Sequence, residues 1–178
     1  MHVLIVGARG VGKSTLIRKL LQELNKPLFG FETKKENSLA DDALGSPVYI
    51  YDAGTVHLQT PENLVGYCKN KCFATMKEAF DRYASKLRLP VPKDHVVVLD
   101  ELGFMEATSE DFCSAVLALL DGNAPVIAAV KDKDVPFLQA VRSHPRCKCF
   151  HITEENRDEL YPEILSFIKL QWNMKVEG

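Results

Sequence analysis

Net charge of either sign is almost absent from this chain, with 22 Lys and Arg against 24 Asp and Glu. Such a balance offers no overall footprint for nucleic acid or an anionic membrane surface and leaves only local patches. Long hydrophobic runs are also missing, since no apolar stretch reaches the roughly twenty residues a bilayer-crossing helix needs. No charged leader with an apolar core precedes His2, where the first strand pattern already starts, which predicts a cytoplasmic protein. The five cysteines are odd in number and form no C-x-x-C pair. A disulfide framework is therefore not expected. Cys68-x-x-x-Cys72 with Cys147-x-Cys149 is the one zinc set the spacing permits, Cys147 and Cys149 sharing a strand face. Buried filler is the competing reading of these residues. Repeats, low-complexity segments and dense arginine clusters are lacking too. What is present, 46% apolar and 26% charged residues over 178 positions, fits a single domain spanning 1–178 with an ample core.

The most informative stretch is Gly7-Ala8-Arg9-Gly10-Val11-Gly12-Lys13-Ser14, which fits the phosphate-cradling P-loop pattern G-x-x-x-x-G-K-[ST]. Its setting is correct. His2 to Val6 is an apolar, β-branched run that reads as a buried strand. Beyond Ser14 the spacing turns helical, with Leu16, Ile17, Leu20, Leu21 and Leu24 on one face and Arg18, Lys19, Gln22 and Glu23 on the other. The glycines let the backbone approach phosphate oxygens, and loop N–H groups form an anion nest at a helix N-terminus. Lys13, placed at an exposed loop-to-helix junction by this reading, reaches the β- and γ-phosphates, and the Ser14 hydroxyl is an Mg²⁺ ligand.

Further along, Asn25-Lys26-Pro27 stops the helix and Leu28 to Thr33 forms a strand. Val48 to Tyr51 is another, pairing as a hairpin or flanking the main sheet. Gly54 to Asn70 is irregular by pattern and reads as a functional or mobile loop. Phe73, Met76, Phe80, Tyr83, Ala84 and Leu87 mark an amphipathic helix whose aromatic stripe is core. Thr108-Ser109-Glu110-Asp111 starts a helix that faces inward through Phe112, Val116, Leu117 and Leu120, with Gly122 as its cap. A strand over 125–130, a short helix over 135–142 and a strand over 147–152 follow. Thr153 caps a helical turn through Asn156 and Arg157, and Pro162 opens the last helix.

Val96-Val97-Val98-Leu99-Asp100-Glu101 is the second informative stretch. Four apolar residues lead into two carboxylates at the C-terminal end of a buried strand, the edge where ligands bind in open α/β sheets. Asp100 suits the Mg²⁺-holding aspartate that a P-loop protein requires, and Glu101 suits a base for an attacking water. Alternating strands and helices predict an α/β fold: a P-loop NTPase with a mostly parallel sheet and helices on both faces. Right-handed crossovers bring Gly7–Ser14 and Asp100–Glu101 to one edge, whether or not a strand lies between them.

In motif order the chain resembles a family of small P-loop nucleoside-triphosphatases. The resemblance rests on Gly7–Ser14, Gly30-Phe31-Glu32-Thr33, Val98-Leu99-Asp100-Glu101-Leu102-Gly103-Phe104-Met105-Glu106 and Thr153-Glu154-Glu155-Asn156-Arg157. Phe104 stands where members commonly carry Lys, Arg9 where they often carry a small residue or Pro, and 46–89 matches poorly. The resemblance implies Mg²⁺-dependent hydrolysis of nucleoside triphosphates such as ATP and GTP to diphosphate and phosphate, with loose base preference. Candidate nucleotide contacts are Gly7, Ala8, Arg9, Gly10, Val11, Gly12, Lys13, Ser14, Thr15, Asp100, Glu101 and Gly103. Ser14 and Asp100 are the metal ligands; Lys13, Glu101 and Arg157 are catalytic. Arg142, Arg146 and Arg157 are the in-chain candidates for an arginine finger, Arg157 favoured by its place in the T-x-E-N-R segment, with a protein partner acting in trans as the other source. A small-molecule kinase and a slow nucleotide-dependent switch remain open as alternatives. Either would use 54–70 as its acceptor or signalling loop.

Overall fold

The computed structural model describes residues 1–70 and 72–173, with only the backbone of Cys72 and Phe73. In chain order the elements are β1 His2–Gly7, α1 Lys13–Leu24, β2 Leu28–Lys35, β3 Ser46–Asp52, β4 Leu64–Lys69, β5 Cys72–Thr75, α2 Lys77–Leu87, β6 Val96–Leu102, α3 Glu110–Asp121, β7 Val126–Lys131, α4 Pro136–Arg142, β8 Cys147–His151 and α5 Arg157–Gln171. The strands join one sheet in the order β5-β4-β3-β2-β6-β7-β1-β8.

From β2 to β8 the strands are parallel. Such strands are covered on both faces, which is why β1 and β7 carry continuous apolar runs. Leu16, Ile17 and Leu20 of α1 and Ile164 and Ile168 of α5 cover one face. Phe80 and Tyr83 of α2, Phe112 and Val116 of α3 and Leu138 and Val141 of α4 cover the other. Phe112 lies 5.3 Å from Phe31 and 5.1 Å from Phe80, centroid to centroid, so α2 and α3 are keyed to β2 by aromatic edges.

β2 both pairs with β3 as a hairpin and lies parallel beside β6, so it joins an antiparallel extension to the parallel sheet. Three expectations are corrected. The 54–70 segment is not irregular throughout, because 64–69 forms β4 and pairs with β3 and β5. Its strand pattern was masked by Gly66, whose missing side chain admits Met105 and the Ala74 carbonyl. The helix expected from Phe73 starts only at Lys77, the preceding residues forming β5. Pro162 lies inside α5, which begins at Arg157. Gly122 ends α3 as expected, with an extended backbone at φ −82°. The zinc set is excluded by topology: Cys68 lies on β4 and Cys147 and Cys149 on β8, near opposite edges of the sheet, and the Cys72 side chain lies outside the described residues.

β7 lies between β1 and β6. The P-loop strand and the acidic strand are therefore one strand apart, and the last residue of β7, Lys131, falls between them.

Candidate active site

Three loops meet at the C-terminal edge of the parallel strands. The first is the P-loop. Gly10 and Gly12 have φ +79° and +104°, a region glycine enters without penalty. Gly12 stands at the N-cap of α1, and with no side-chain cap or first-turn acid there the helix N–H groups remain open to an anion. Lys13 is buried rather than exposed as the sequence suggested, at 5% exposure. Its ammonium donates to the Gly7 carbonyl at 2.8 Å and the Ala8 carbonyl at 2.7 Å. Burial lowers its pKa, and Glu101 opposes that shift.

The second loop follows β6. Val96 and Val98 face α1 and α5, while Val97 and Leu99 face α2 and α3. Strict alternation would send Asp100 to the first side, Glu101 to the second and Leu102 back to the first. Leu102 instead joins the α2/α3 side, because the register against β7 shifts between Asp100 and Leu102. One extra residue is accommodated there, and both carboxylates end on the P-loop side. The Asp100–Glu101 peptide is cis. Thr33 of β2 ties the two residues together, donating to the Asp100 carbonyl and accepting from the Glu101 N–H, each at 3.4 Å.

The Ser14 hydroxyl donates to Asp100 Oδ1 at 3.0 Å, so the two expected metal ligands already touch. Burial raises the Asp100 carboxyl to about 6, with Glu101 and Glu32 adding repulsion and the Ser14 hydroxyl opposing. Glu101 lies between two ammonium groups, with Oε2 3.7 Å from Lys13 Nζ and Oε1 3.2 Å from Lys131 Nζ. Gly103 donates its N–H to Oε2 of the buried Glu106 at 3.0 Å. A side chain at Gly103 would lie 3.1 Å from Lys131 Cδ, so glycine here leaves room for that lysine.

The third loop follows β8. Thr153 and Asn156 brace it reciprocally: Asn156 Oδ1 accepts from the Thr153 N–H at 2.7 Å, and Thr153 Oγ1 accepts from the Asn156 N–H at 3.2 Å. Arg157, first residue of α5, is thereby aimed at the P-loop. Its Nη1 lies 3.7 Å from where a Gly12 side chain would start. A cleft of about 790 Å³ opens beside it, lined by Thr15, Lys19, Arg157 and Tyr161 among others. Arg142 instead donates to the Lys131 carbonyl, and Arg146 binds Asp121 and Asn123 near the opposite edge, where His2 meets Cys147.

Sequence reasoning missed four site groups: Lys131, Glu106, Thr33 and Glu32. Thr33, Glu32 and Glu106 sit in motifs already singled out, and Lys131 ends a buried strand, the position where β6 supplies its acids. Glu32 faces Asp100 in register. It also meets the segment after β3, accepting from the Gly54 N–H at 3.5 Å and lying 3.7 Å from His57. His57 stacks on Tyr51 at 4.0 Å.

A glycine-rich loop with an open helix N-terminus after one strand, a Ser–Asp pair bridging to a second, and a further carboxylate beside it are the arrangement of a P-loop NTPase. The particular family is settled by comparison: a family model described as NTPase matches residues 2–165. The chain belongs to that family and is a nucleoside-triphosphatase. It is 30% identical to the nucleoside-triphosphatase THEP1 of Aquifex aeolicus, over 95% of this chain and 99% of the relative. It is 29% identical to the human cancer-related nucleoside-triphosphatase, over 94% and 96%. The solution structure of a human cancer-related nucleoside triphosphatase superposes with a TM-score of 0.68 at 27% identity, covering 98% of this chain and 99% of that one. No helix among the described residues is long and apolar enough to cross a membrane.

Proposed function

We propose that this protein hydrolyses nucleoside 5′-triphosphates, ATP and GTP among them, to the diphosphate and inorganic phosphate, with Mg²⁺ and loose base preference, in the cytoplasm. The observation that carries the reading is Glu101, held by two cations beside the Ser14–Asp100 pair at the open edge of the P-loop. That is the place for a base acting on water.

The donor set fits Mg²⁺. Ser14 and Asp100 offer hard oxygen ligands, and burial together with the repulsion of Glu101 and Glu32 holds the Asp100 carboxyl up, a penalty that a bound cation would offset. Mg²⁺ bound there would neutralise charge on the phosphate oxygens. The chain's own groups do the rest. P-loop N–H groups from Gly7 to Thr15 cradle the phosphates. Lys13 exchanges the Gly7 and Ala8 carbonyls for phosphate oxygens. Glu101 takes a proton from water as the water oxygen attacks the γ-phosphorus, and the β–γ bridging oxygen leaves with the diphosphate. Arg157 adds positive charge from the Gly12 side. The cleft beside Thr15 takes the nucleoside. Its lining is largely exposed Lys19, Gln22 and Glu23 rather than buried hydrogen-bonding groups, so little penalises a wrong base.

The test is phosphate release from a panel of ribonucleoside triphosphates with Mg²⁺ and no other substrate, with Lys13→Ala as the blank. Comparable release from several bases is expected. Release only with an added phosphate acceptor would replace this reading by a kinase.

A further inference from the structure

Two cations share Glu101, and they are not equivalent. Lys13 has other duties. Its ammonium already contacts two P-loop carbonyls, and it lies on the loop where the phosphates bind. Once a triphosphate fills the nest, the strongest nearby anions are phosphate oxygens, and Lys13 turns to them. Glu101 then loses one of its two partners at the moment its position matters.

Lys131 has no such competing duty. It ends β7, the strand inserted between β1 and β6, and pairs in register with Gly7. Its ammonium takes the other carboxylate oxygen, Oε1, at 3.2 Å. Its stem is confined on one side by Gly103, whose missing side chain would sit 3.1 Å from Cδ and 3.5 Å from Cε. Behind Gly103 stands Glu106, buried, gripping the Gly103 N–H. The Lys131 carbonyl is in turn held by the Arg142 guanidinium at 3.2 Å and the Lys133 N–H at 3.0 Å. Both ends of this lysine are therefore anchored before substrate arrives.

We infer that Lys131 is a positioning residue for the hydrolysis proposed above: it keeps Glu101 aimed at the water after Lys13 has moved to the phosphates. The inference rests on Glu101 being the base. It assigns Lys131 no contact with the nucleotide.

The experiment is a double-mutant cycle read by single-turnover phosphate release, with nucleotide affinity measured separately on a non-hydrolysable analogue. Lys131→Met keeps the stem and removes the charge. It should lower the rate about 10–100-fold, the usual cost of losing a group that orients a catalytic one. Affinity should stay within about threefold, since the lost interaction is not with the ground-state ligand. Lys131→Arg should restore part of the rate. On a Glu101→Gln background, Lys131→Met should cost less than about threefold further, because a residue acting through Glu101 has nothing left to act on. Multiplicative losses in the cycle would overturn the inference, as would an affinity loss matching the rate loss; either result puts Lys131 on the phosphates. A wild-type protein that releases no phosphate would instead overturn the hydrolysis reading itself.

Discussion

The buried Glu106 carboxyl offers a quantitative test of the site's electrostatics. Burial pushes it from 4.5 up to about 7, Glu101 adding repulsion and Lys131 and the Gly103 N–H pulling the other way. The sign follows from linkage. A carboxyl whose pKa is higher folded than unfolded binds protons more tightly in the native state. The fold therefore loses stability as pH rises from the unfolded value through the folded one. With the folded value about 7, the penalty is under about 1 kcal/mol at pH 5 and roughly 3 kcal/mol at pH 8. Glu106→Gln does not titrate, and its amide oxygen can still accept from Gly103. The stability difference between variant and wild type should thus move in the variant's favour by about 2–3 kcal/mol between pH 5 and pH 8, whatever constant offset the amide introduces. Urea denaturation followed by circular dichroism at pH 5, 6, 7 and 8 measures it, and titration of Asp100 cancels to first order because both proteins contain it. A difference that stays flat across this range would refute the argument and mean that Glu106 is ionised at no cost, with Lys131 compensating its burial in full.

Glu101→Gln should lower turnover by about 10²–10⁴-fold, the range for losing a positioned base, with little change in nucleotide affinity. Asp100→Asn should weaken Mg²⁺-dependent binding as well; a fluorescent nucleotide titration beside a phosphate assay separates the two, and equal behaviour would merge their roles. Excess EDTA should stop hydrolysis and added Mg²⁺ restore it, since the donors at the site are oxygens; phosphate release that persists in EDTA would remove Ser14 and Asp100 as ligands. Gly30→Ala should destabilise by at least roughly 1–3 kcal/mol, because the backbone there has φ +112° and the new carbon would lie 2.1 Å from the Val98 carbonyl oxygen. Thermal melting checks this, and an unchanged midpoint would mean β2 and β6 separate freely at that point.

Much of the site was legible in the chain because its signals are local. The P-loop is a run of adjacent residues whose dihedral demands only glycine meets, and α1 announces itself through apolar spacing within two turns. Asp100 and Glu101 were readable as acids ending an apolar strand. Thr153 was readable as the cap of a turn through Asn156, and Thr108 to Asp111 as a helix start, where the Ser109 hydroxyl accepts from the Phe112 N–H at 3.2 Å. Harder were β4 and β5, short antiparallel strands at the edge of the sheet. A glycine there that makes room for a distant methionine looks, in sequence, like a turn.

By itself, then, the sequence determined the elements of the parallel sheet, their apolar faces and the two motifs at its C-terminal edge, because each depends on neighbours a few positions away. Tertiary structure alone decided that β7 enters between β1 and β6, that the extra residue at Glu101 turns both carboxylates to one side, and that Lys13 and Glu106 are buried. A lysine at the end of an apolar strand carries no local mark of function. It becomes part of the site only when strand order sets its ammonium 3.2 Å from a carboxylate thirty positions earlier in the chain, a relation fixed by non-local hydrogen-bond register and by nothing in the residues on either side of it.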